Sequence, residues 1–100
     1  MIFNSIIYTV CVMERTNGNE FKMTYSCLFH SKRLADCIAF IKQTSTTYDW
    51  KVLKKEDFLF QVIGLPSNIS IHKAKNEGLL HVSFYKVDGE EVNFKDGKLV

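Results

Sequence analysis

The chain contains 100 residues, of which 46% are hydrophobic, and its 13 basic and 11 acidic residues give a formal net charge of +2. A chain of this length and composition is expected to form a single domain over residues 1–100 and to fold without metal ions or cross-links. The balanced charge excludes a strong overall field that would attract nucleic acid or a membrane surface. Charged residues interrupt every apolar run, so no segment is expected to span a bilayer.

The cysteines indicate the compartment. The chain has three cysteines, which are Cys11, Cys27 and Cys37. Their odd number and wide spacing argue against a disulfide framework and favour a reducing environment. The apolar start of the chain lacks a positively charged leading region, so it is interpreted as a first strand rather than as a signal peptide. We therefore expect a cytoplasmic protein.

The first predicted element is a hairpin. The alternating segments Ile6 to Glu14 and Phe21 to Phe29 flank Asn17-Gly18, the dipeptide that best suits a two-residue type I′ turn. With this turn the numbers of paired residues sum to 35, which gives one apolar face. The pairs on that face are Val12 with Met23, Val10 with Tyr25, Tyr8 with Cys27, and Ile6 with Phe29.

The same register makes two further predictions beside that face. It places Arg15 opposite Glu20 next to the turn, as an exposed pair of opposite charge. It also puts Cys11 and Cys27 on opposite faces of the hairpin, where they cannot easily bridge each other.

A helix is predicted after the hairpin. Ser31 suits a helix N-cap, and an apolar stripe at three- and four-residue steps follows it, made of Leu34, Cys37, Ile38 and Ile41. The run of β-branched and short hydroxyl residues from Thr44 to Thr47 weakens continuation, so the helix is expected to end near residue 44.

Strand-like segments fill the rest of the chain. They are Trp50 to Leu53, Phe58 to Ile63, Ile69 to Lys73, Leu80 to Val87 and Glu91 to Lys95. The segment from Tyr48 to Ile63 also fits a short helix that leads into a strand, and residues 46–63 remain open between these two interpretations.

The last hairpin allows a choice of register. A two-residue turn at Asp88-Gly89 would set apolar side chains opposite polar ones. A three-residue loop, Val87-Asp88-Gly89 with Gly89 in the left-handed conformation of a bulge, instead pairs Phe84 with Val92 and Val82 with Phe94. The complete pattern predicts an α+β fold, in which one helix packs on one face of an antiparallel β-sheet made of an N-terminal hairpin and C-terminal strands.

No catalytic motif is present, and the chain is not expected to be an enzyme or to bind a cofactor. A metal site would most plausibly use Cys27, His30 and Cys37, but a fourth ligand is missing and the extended segment points Cys27 and His30 in opposite directions. We therefore predict no metal site.

Two surfaces are candidates for binding. The hairpin face away from the predicted core carries Ile7, Cys11, Met13 and Leu28, and it is either covered by the C-terminal strands or used by a partner or a second copy in a homodimer. The second surface suits anions or single-stranded nucleic acid, and comprises His30, Lys32 and Arg33 at the helix entrance and Trp50, Lys51, Lys54 and Lys55 in an aromatic and basic run.

These features favour a small non-catalytic module that binds another protein, as an inhibitor or a regulator. The short chain and its abundance of Lys, Ile, Phe and Asn fit an accessory protein from an AT-rich genome, such as that of a bacteriophage or its host. The alternative is a nucleic-acid-binding protein that uses the tryptophan and lysine surface.

Overall fold

The computed structural model describes residues 5–16, 20–23, 27–47 and 54–100, with the backbone alone at Ser45 and Thr47. Three sequence predictions fall outside these residues: the turn at Asn17-Gly18, the partner position Tyr25 and the strand from Trp50 to Leu53. The elements in chain order are β1 (Ile6–Arg15), β2 (Phe21–Met23), β3 (Phe29–Ser31), α1 (Leu34–Thr47), a 3₁₀ turn (Lys55–Asp57), β4 (Phe58–Pro66), α2 (Ile71–Asn76), β5 (His81–Lys86), β6 (Glu91–Val92), β7 (Phe94–Lys95) and β8 (Lys98–Leu99).

The main sheet is antiparallel throughout and has the strand order β2-β1-β4-β5-β6, with β3 paired to β1 along the same edge as β2. Strands β7 and β8 form a separate two-stranded sheet. The predicted α+β class with an antiparallel sheet and one main helix is confirmed.

Helix α1 covers one face of the sheet, here called the inner face. Alternate residues of β1 and β4 point towards it, because neighbouring side chains of a strand lie on opposite faces. The buried residues of this core are Val10, Cys37, Ile41, Phe60, Val62, Tyr85 and Val87. The predicted stripe of α1 is confirmed, since Cys37 and Ile41 are fully buried and Leu34 and Ile38 pack against the core.

Both ends of α1 differ from the prediction. Ser31 belongs to β3, and its hydroxyl accepts a hydrogen bond from the Arg33 amide at 3.1 Å and donates one to Asp36 Oδ2 at 2.8 Å. It therefore stabilises the turn that enters the helix rather than occupying the N-cap position. The helix continues to Thr47 instead of ending near residue 44, and the Thr46 hydroxyl donates to the carbonyl of Gln43 at 2.8 Å. Such back-bonding lets a hydroxyl residue remain helical.

The predicted register of the first hairpin is wrong by one residue. Met13 lies opposite Met23 and Arg15 lies opposite Phe21, so the paired numbers sum to 36. The amide of Thr16 donates to the carbonyl of Glu20 at 2.6 Å, which leaves three residues in the connection rather than two. The extra residue shifts every pair, and the predicted pairs of Val12 with Met23 and Arg15 with Glu20 do not form.

A second shift follows along the same edge. Met23 pairs with Met13, and Phe29 pairs with Val10. The edge chain therefore advances by six residues over a length in which β1 advances by only three. The observed partners are therefore Val10 with Phe29 and Tyr8 with Ser31, in place of the predicted pairs of Val10 with Tyr25, Tyr8 with Cys27 and Ile6 with Phe29. A sequence pattern of period two cannot reveal such an insertion, because it assumes unbroken alternation.

The segment from Ile69 to Lys73 was predicted as a strand, and this prediction is wrong. Residues Ile71–Asn76 form α2, and the Ser70 hydroxyl caps it by accepting a hydrogen bond from the Lys73 amide at 3.2 Å. The apolar alternation of this segment is weaker than the N-cap interaction, and Ala74, which is fully buried, anchors the helix.

The bulged loop of the last hairpin is confirmed. The Lys86 amide donates to the carbonyl of Glu90 at 2.8 Å, and Gly89 has a φ of 88° at the left-handed position. Phe84 pairs with Val92 as predicted. The predicted pair of Val82 with Phe94 does not form, because the strand breaks at Asn93 and Phe94 pairs with Leu99 in the β7–β8 hairpin.

Candidate functional site

The face of the sheet away from α1, here called the outer face, is only half covered. The β7–β8 hairpin folds over the half that contains Met13, Phe21 and Leu59, and Phe94 packs against these residues. The centroid of the Phe94 ring lies 4.5 Å from that of Phe84, with the rings tilted, and 5.9 Å from that of Phe21, with the rings edge-on. A hydrogen bond of 3.1 Å from the Phe21 amide to the Gly97 carbonyl ties the hairpin to the edge of the sheet.

The other half of the outer face is apolar and lies beyond the β7–β8 hairpin. Ile7 pairs with Leu65, and Thr9, Ile63 and Val82 form the adjacent row of the ladder. We call the four apolar side chains Ile7, Ile63, Leu65 and Val82 the outer apolar patch. Val82 is 41% exposed, the other three are half-buried, and none of them belongs to either buried cluster of the described residues.

A polar border adjoins the outer apolar patch at the β3 edge. His30 lies opposite Thr9, and the Thr9 hydroxyl is 3.2 Å from Nδ1 of His30. Among the described residues in the two ladder rows of the patch, none is Lys or Arg. The surface is therefore apolar and is bordered by side chains that can form hydrogen bonds.

The predicted partner surface is divided by the structure. Cys11 is fully buried and Met13 is 6% exposed, so neither is accessible to a partner. Ile7 is half-buried within the outer apolar patch, and Leu28 is 50% exposed at the irregular edge, where its amide donates to the Val10 carbonyl at 2.8 Å. The C-terminal strands thus cover the Met13 end of the predicted surface and leave the Ile7 end open.

The cations of the alternative surface do not form one described site. His30, Lys32 and Arg33 are exposed at the entrance to α1, and Lys54 and Lys55 are exposed before β4. Trp50 and Lys51 lie outside the described residues. No described feature brings the two groups of cations together around a ligand.

A cavity of about 390 Å³ lies where β1, β4 and β5 end beside the 3₁₀ turn. Phe58, Leu59 and Val87 supply an apolar lining, while its charged groups have both signs: Arg15, Lys55 and Lys86 with Glu56 and Asp88. Arg15 Nε lies 3.9 Å from Asp57 Oδ1, and Lys86 Nζ lies 3.0 Å from Glu90 Oε2. Because acids face these cations, the cavity has no strong preference for an anion.

Two cysteines meet on the outer side of the edge. The Sγ atoms of Cys11 and Cys27 are 2.9 Å apart, which overturns the prediction that these residues lie on opposite faces. Cys27 itself lies outside the strands, so strand alternation does not apply to it. Burial raises the pKa of the Cys11 thiol to about 12, and the hydrogen bond and charge of Cys27 add to this rise. Cys37 lies apart from this pair, in the core under α1.

One sequence signal for the covering hairpin was missed. Asp96 and Gly97 both have positive φ, at 55° and 82°, and together they make the two-residue turn between β7 and β8. Asp-Gly is a preferred dipeptide of type I′ turns, so the turn could have been recognised from the sequence. Its position over Met13 could not.

Three further observations bear on the class of protein. No group of three His, Cys, Asp or Glu side chains among the described residues could hold a metal ion. Within the described ranges, no helix has the length and apolar character needed to cross a membrane. Comparison of the chain with protein-family models, with curated proteins and with solved structures finds no match.

Proposed function

We propose that this protein is a non-catalytic interaction module that binds the apolar surface of another protein through the outer apolar patch. The observation that carries the proposal is the half-covered outer face: the chain's own β7–β8 hairpin packs over Met13 and Leu59 but not over the outer apolar patch, where Val82 is 41% exposed and Ile7 and Ile63 are half-buried. Apolar side chains clustered on one exposed face favour association, because association removes them from water.

The chemistry of the patch favours a protein partner. Nucleic-acid binding depends on cations that contact phosphates, and the described ladder rows of the patch contain neither Lys nor Arg. An apolar surface with the hydroxyl of Thr9 and the imidazole of His30 at its border instead resembles the apolar core and polar rim of protein interfaces. A partner of complementary shape would place apolar side chains over Val82 and Ile63.

The test compares two charge substitutions on the same sheet. Val82→Lys places an ammonium in the patch, whereas Met23→Lys places one at the far corner of the outer face, where Met23 is 49% exposed. The wild-type protein is used to capture partners from an extract of its native cells, with and without nuclease treatment, and a captured protein is then purified and titrated with each variant. We expect Val82→Lys to weaken binding at least about tenfold and Met23→Lys to leave it unchanged.

The other outcomes are informative. Equal affinity of the wild-type protein and Val82→Lys would contradict the proposal, provided that circular dichroism shows both to be folded. Capture that disappears after nuclease treatment and weakens steeply with salt would support the nucleic-acid alternative instead. Self-association that sedimentation detects in the wild-type protein but not in Val82→Lys would identify a second copy of the chain as the partner.

A further inference from the structure

The contact between Cys11 and Cys27 has a chemical consequence. Their sulfur atoms are 2.9 Å apart, and a disulfide bond is about 2.05 Å long, so the two sulfurs need to approach by less than about 1 Å to bond. Cys27 lies between β2 and β3 and outside both strands, so no ladder pairing of its own opposes so small a movement. We propose that Cys11 and Cys27 form a reversible disulfide that fastens the chain at Cys27 and Leu28 to β1.

The two thiols differ in access, and this difference assigns their roles. Cys27 is exposed, whereas Cys11 is fully buried. A soluble oxidant therefore meets Cys27 first, and Cys11 serves as the resolving thiol. Cys37 takes neither role in the folded protein, because it lies in the core under α1 on the inner face of the sheet, whereas Cys11 and Cys27 meet on the outer side; its Sγ is 3.9 Å from the carbonyl oxygen of Tyr8.

With a peroxide as oxidant, the reaction balances in two steps. The Cys27 thiol gives up its proton to water, and its sulfur attacks one peroxide oxygen; the O–O bond breaks, and the departing hydroxide takes up a proton in its place, so that the products are a Cys27 sulfenic acid and one water. The sulfur of Cys11 then attacks the sulfur of Cys27; the S–S bond forms, the S–O bond breaks, and the hydroxyl leaves as a second water with the Cys11 proton. Two electrons pass from the two sulfurs to one molecule of hydrogen peroxide, and a dithiol reverses the change.

The disulfide would alter a specific part of the surface. Leu28, which follows Cys27, is 50% exposed and is held by the hydrogen bond from its amide to the Val10 carbonyl. Oxidation would link residue 27 covalently to the neighbouring residue of β1, so the position of Leu28 would no longer depend on that hydrogen bond alone. The oxidation state of the pair would therefore control the order of this edge.

The experiment treats the folded full chain with hydrogen peroxide and maps the products by mass spectrometry of peptides prepared without reduction. We expect one intramolecular linkage, Cys11 to Cys27, with loss of two of the three free thiols and full recovery after dithiothreitol. Cys27→Ser changes an exposed position. In this variant we expect the Cys11 thiol to be lost at least about tenfold more slowly, because the thiol that reacts first with the oxidant is absent. Cys37→Ala is the matched control and should form the Cys11–Cys27 bond at the wild-type rate.

Three results would overturn the proposal: over-oxidation of Cys27 to sulfinic acid while Cys11 stays reduced, a dimer linked through Cys27, or a Cys11 thiol that is lost equally fast in Cys27→Ser. The wild-type chain in urea provides a second measurement. There the linkage should lose its selectivity and include Cys37, because the selectivity depends on the fold. Equal selectivity for Cys11 and Cys27 in urea would contradict the proposal, because Cys37 is nearer to Cys27 in the sequence than Cys11 is, and only the folded geometry favours the Cys11–Cys27 pair.

Discussion

The rings of Phe29 and Phe40 are stacked, with centroids 4.8 Å apart and planes inclined by 10°. Phe29 is in the edge strand β3 and Phe40 is in α1, so the pair fastens the edge of the sheet to the helix. We expect a double-mutant cycle of Phe29→Leu and Phe40→Leu, measured by urea unfolding, to give a coupling free energy of about 1 kcal/mol. Phe40 and Phe84, which lie on opposite sides of the sheet, should couple by less than about 0.5 kcal/mol.

Ile41 is the largest fully buried side chain of the core, and its truncation tests the packing of α1. We expect Ile41→Ala to lower the free energy of unfolding by about 2–5 kcal/mol, because the change removes buried apolar atoms and leaves a cavity. Ile71→Ala is the matched control, since Ile71 is 47% exposed on α2. Urea unfolding should show a loss below about 1 kcal/mol there. Equal losses at the two positions would show that α1 does not pack as described.

Gly89 combines a positive φ with a close neighbour. A Cβ atom at this position would lie 2.6 Å from Cε and 2.8 Å from Cγ of Lys42. Gly78 also has a positive φ but has no atom within 4 Å of such a Cβ. We expect Gly78→Ala to cost about 1 kcal/mol through backbone strain alone, and Gly89→Ala to cost more because Lys42 must also move. Thermal and urea unfolding of both variants would check this order, and the reverse order would contradict it.

The stability of the reduced protein should fall in alkaline solution. The pKa of Cys11 is raised from 9.0 to about 12, chiefly by burial. Below pH 9.0 the thiol is protonated in both the folded and unfolded chains, so its contribution to stability is fully present. Above that pH the unfolded chain releases the proton first, and stability is lost as the pH rises towards about 12. The slope approaches about 1.4 kcal/mol per pH unit for one proton.

Urea unfolding under reducing conditions, at several pH values above and below 9.0, would measure this slope. Cys11→Ala should make the slope shallower. It should not abolish the slope, because burial also raises the pKa values of Cys37 and Tyr85 and their contributions have the same sign. Stability that is independent of pH over the whole alkaline range would contradict the burial of all three groups.

The strongest local signals predicted the structure correctly. The apolar stripe of α1 placed Cys37 and Ile41 in the core, and the bulged loop with Gly89 set the pairing of Phe84 with Val92. Both rest on interactions within a few residues, namely helix periodicity and turn geometry. These interactions depend little on the rest of the chain.

The register of the first hairpin shows why the remaining predictions failed. One extra residue in the connection and an insertion between Met23 and Phe29 moved every pair along β1. The same insertion brought Cys27 against Cys11, which alternation had placed on the other face. The sequence has no local signal for such an insertion, because alternation assumes an unbroken strand, and the contact of Phe29 with Phe40 of α1 joins residues of two different elements.

The same distinction applies to the candidate site, of which one part could be predicted from the sequence and the other could not. The alternation of Ile7, Cys11 and Met13 predicted that the first strand has a second apolar face. It could do so because side chains of a strand point to only two faces, and the sequence period shows which residues lie on each. Which part of that face stays open was decided by the β7–β8 hairpin, whose Phe94 packs over Met13 and not over Ile7 or Val82. Contacts between residues this far apart in the chain depend on the complete packing arrangement, so burial of the one half and exposure of the other follow only from the tertiary structure.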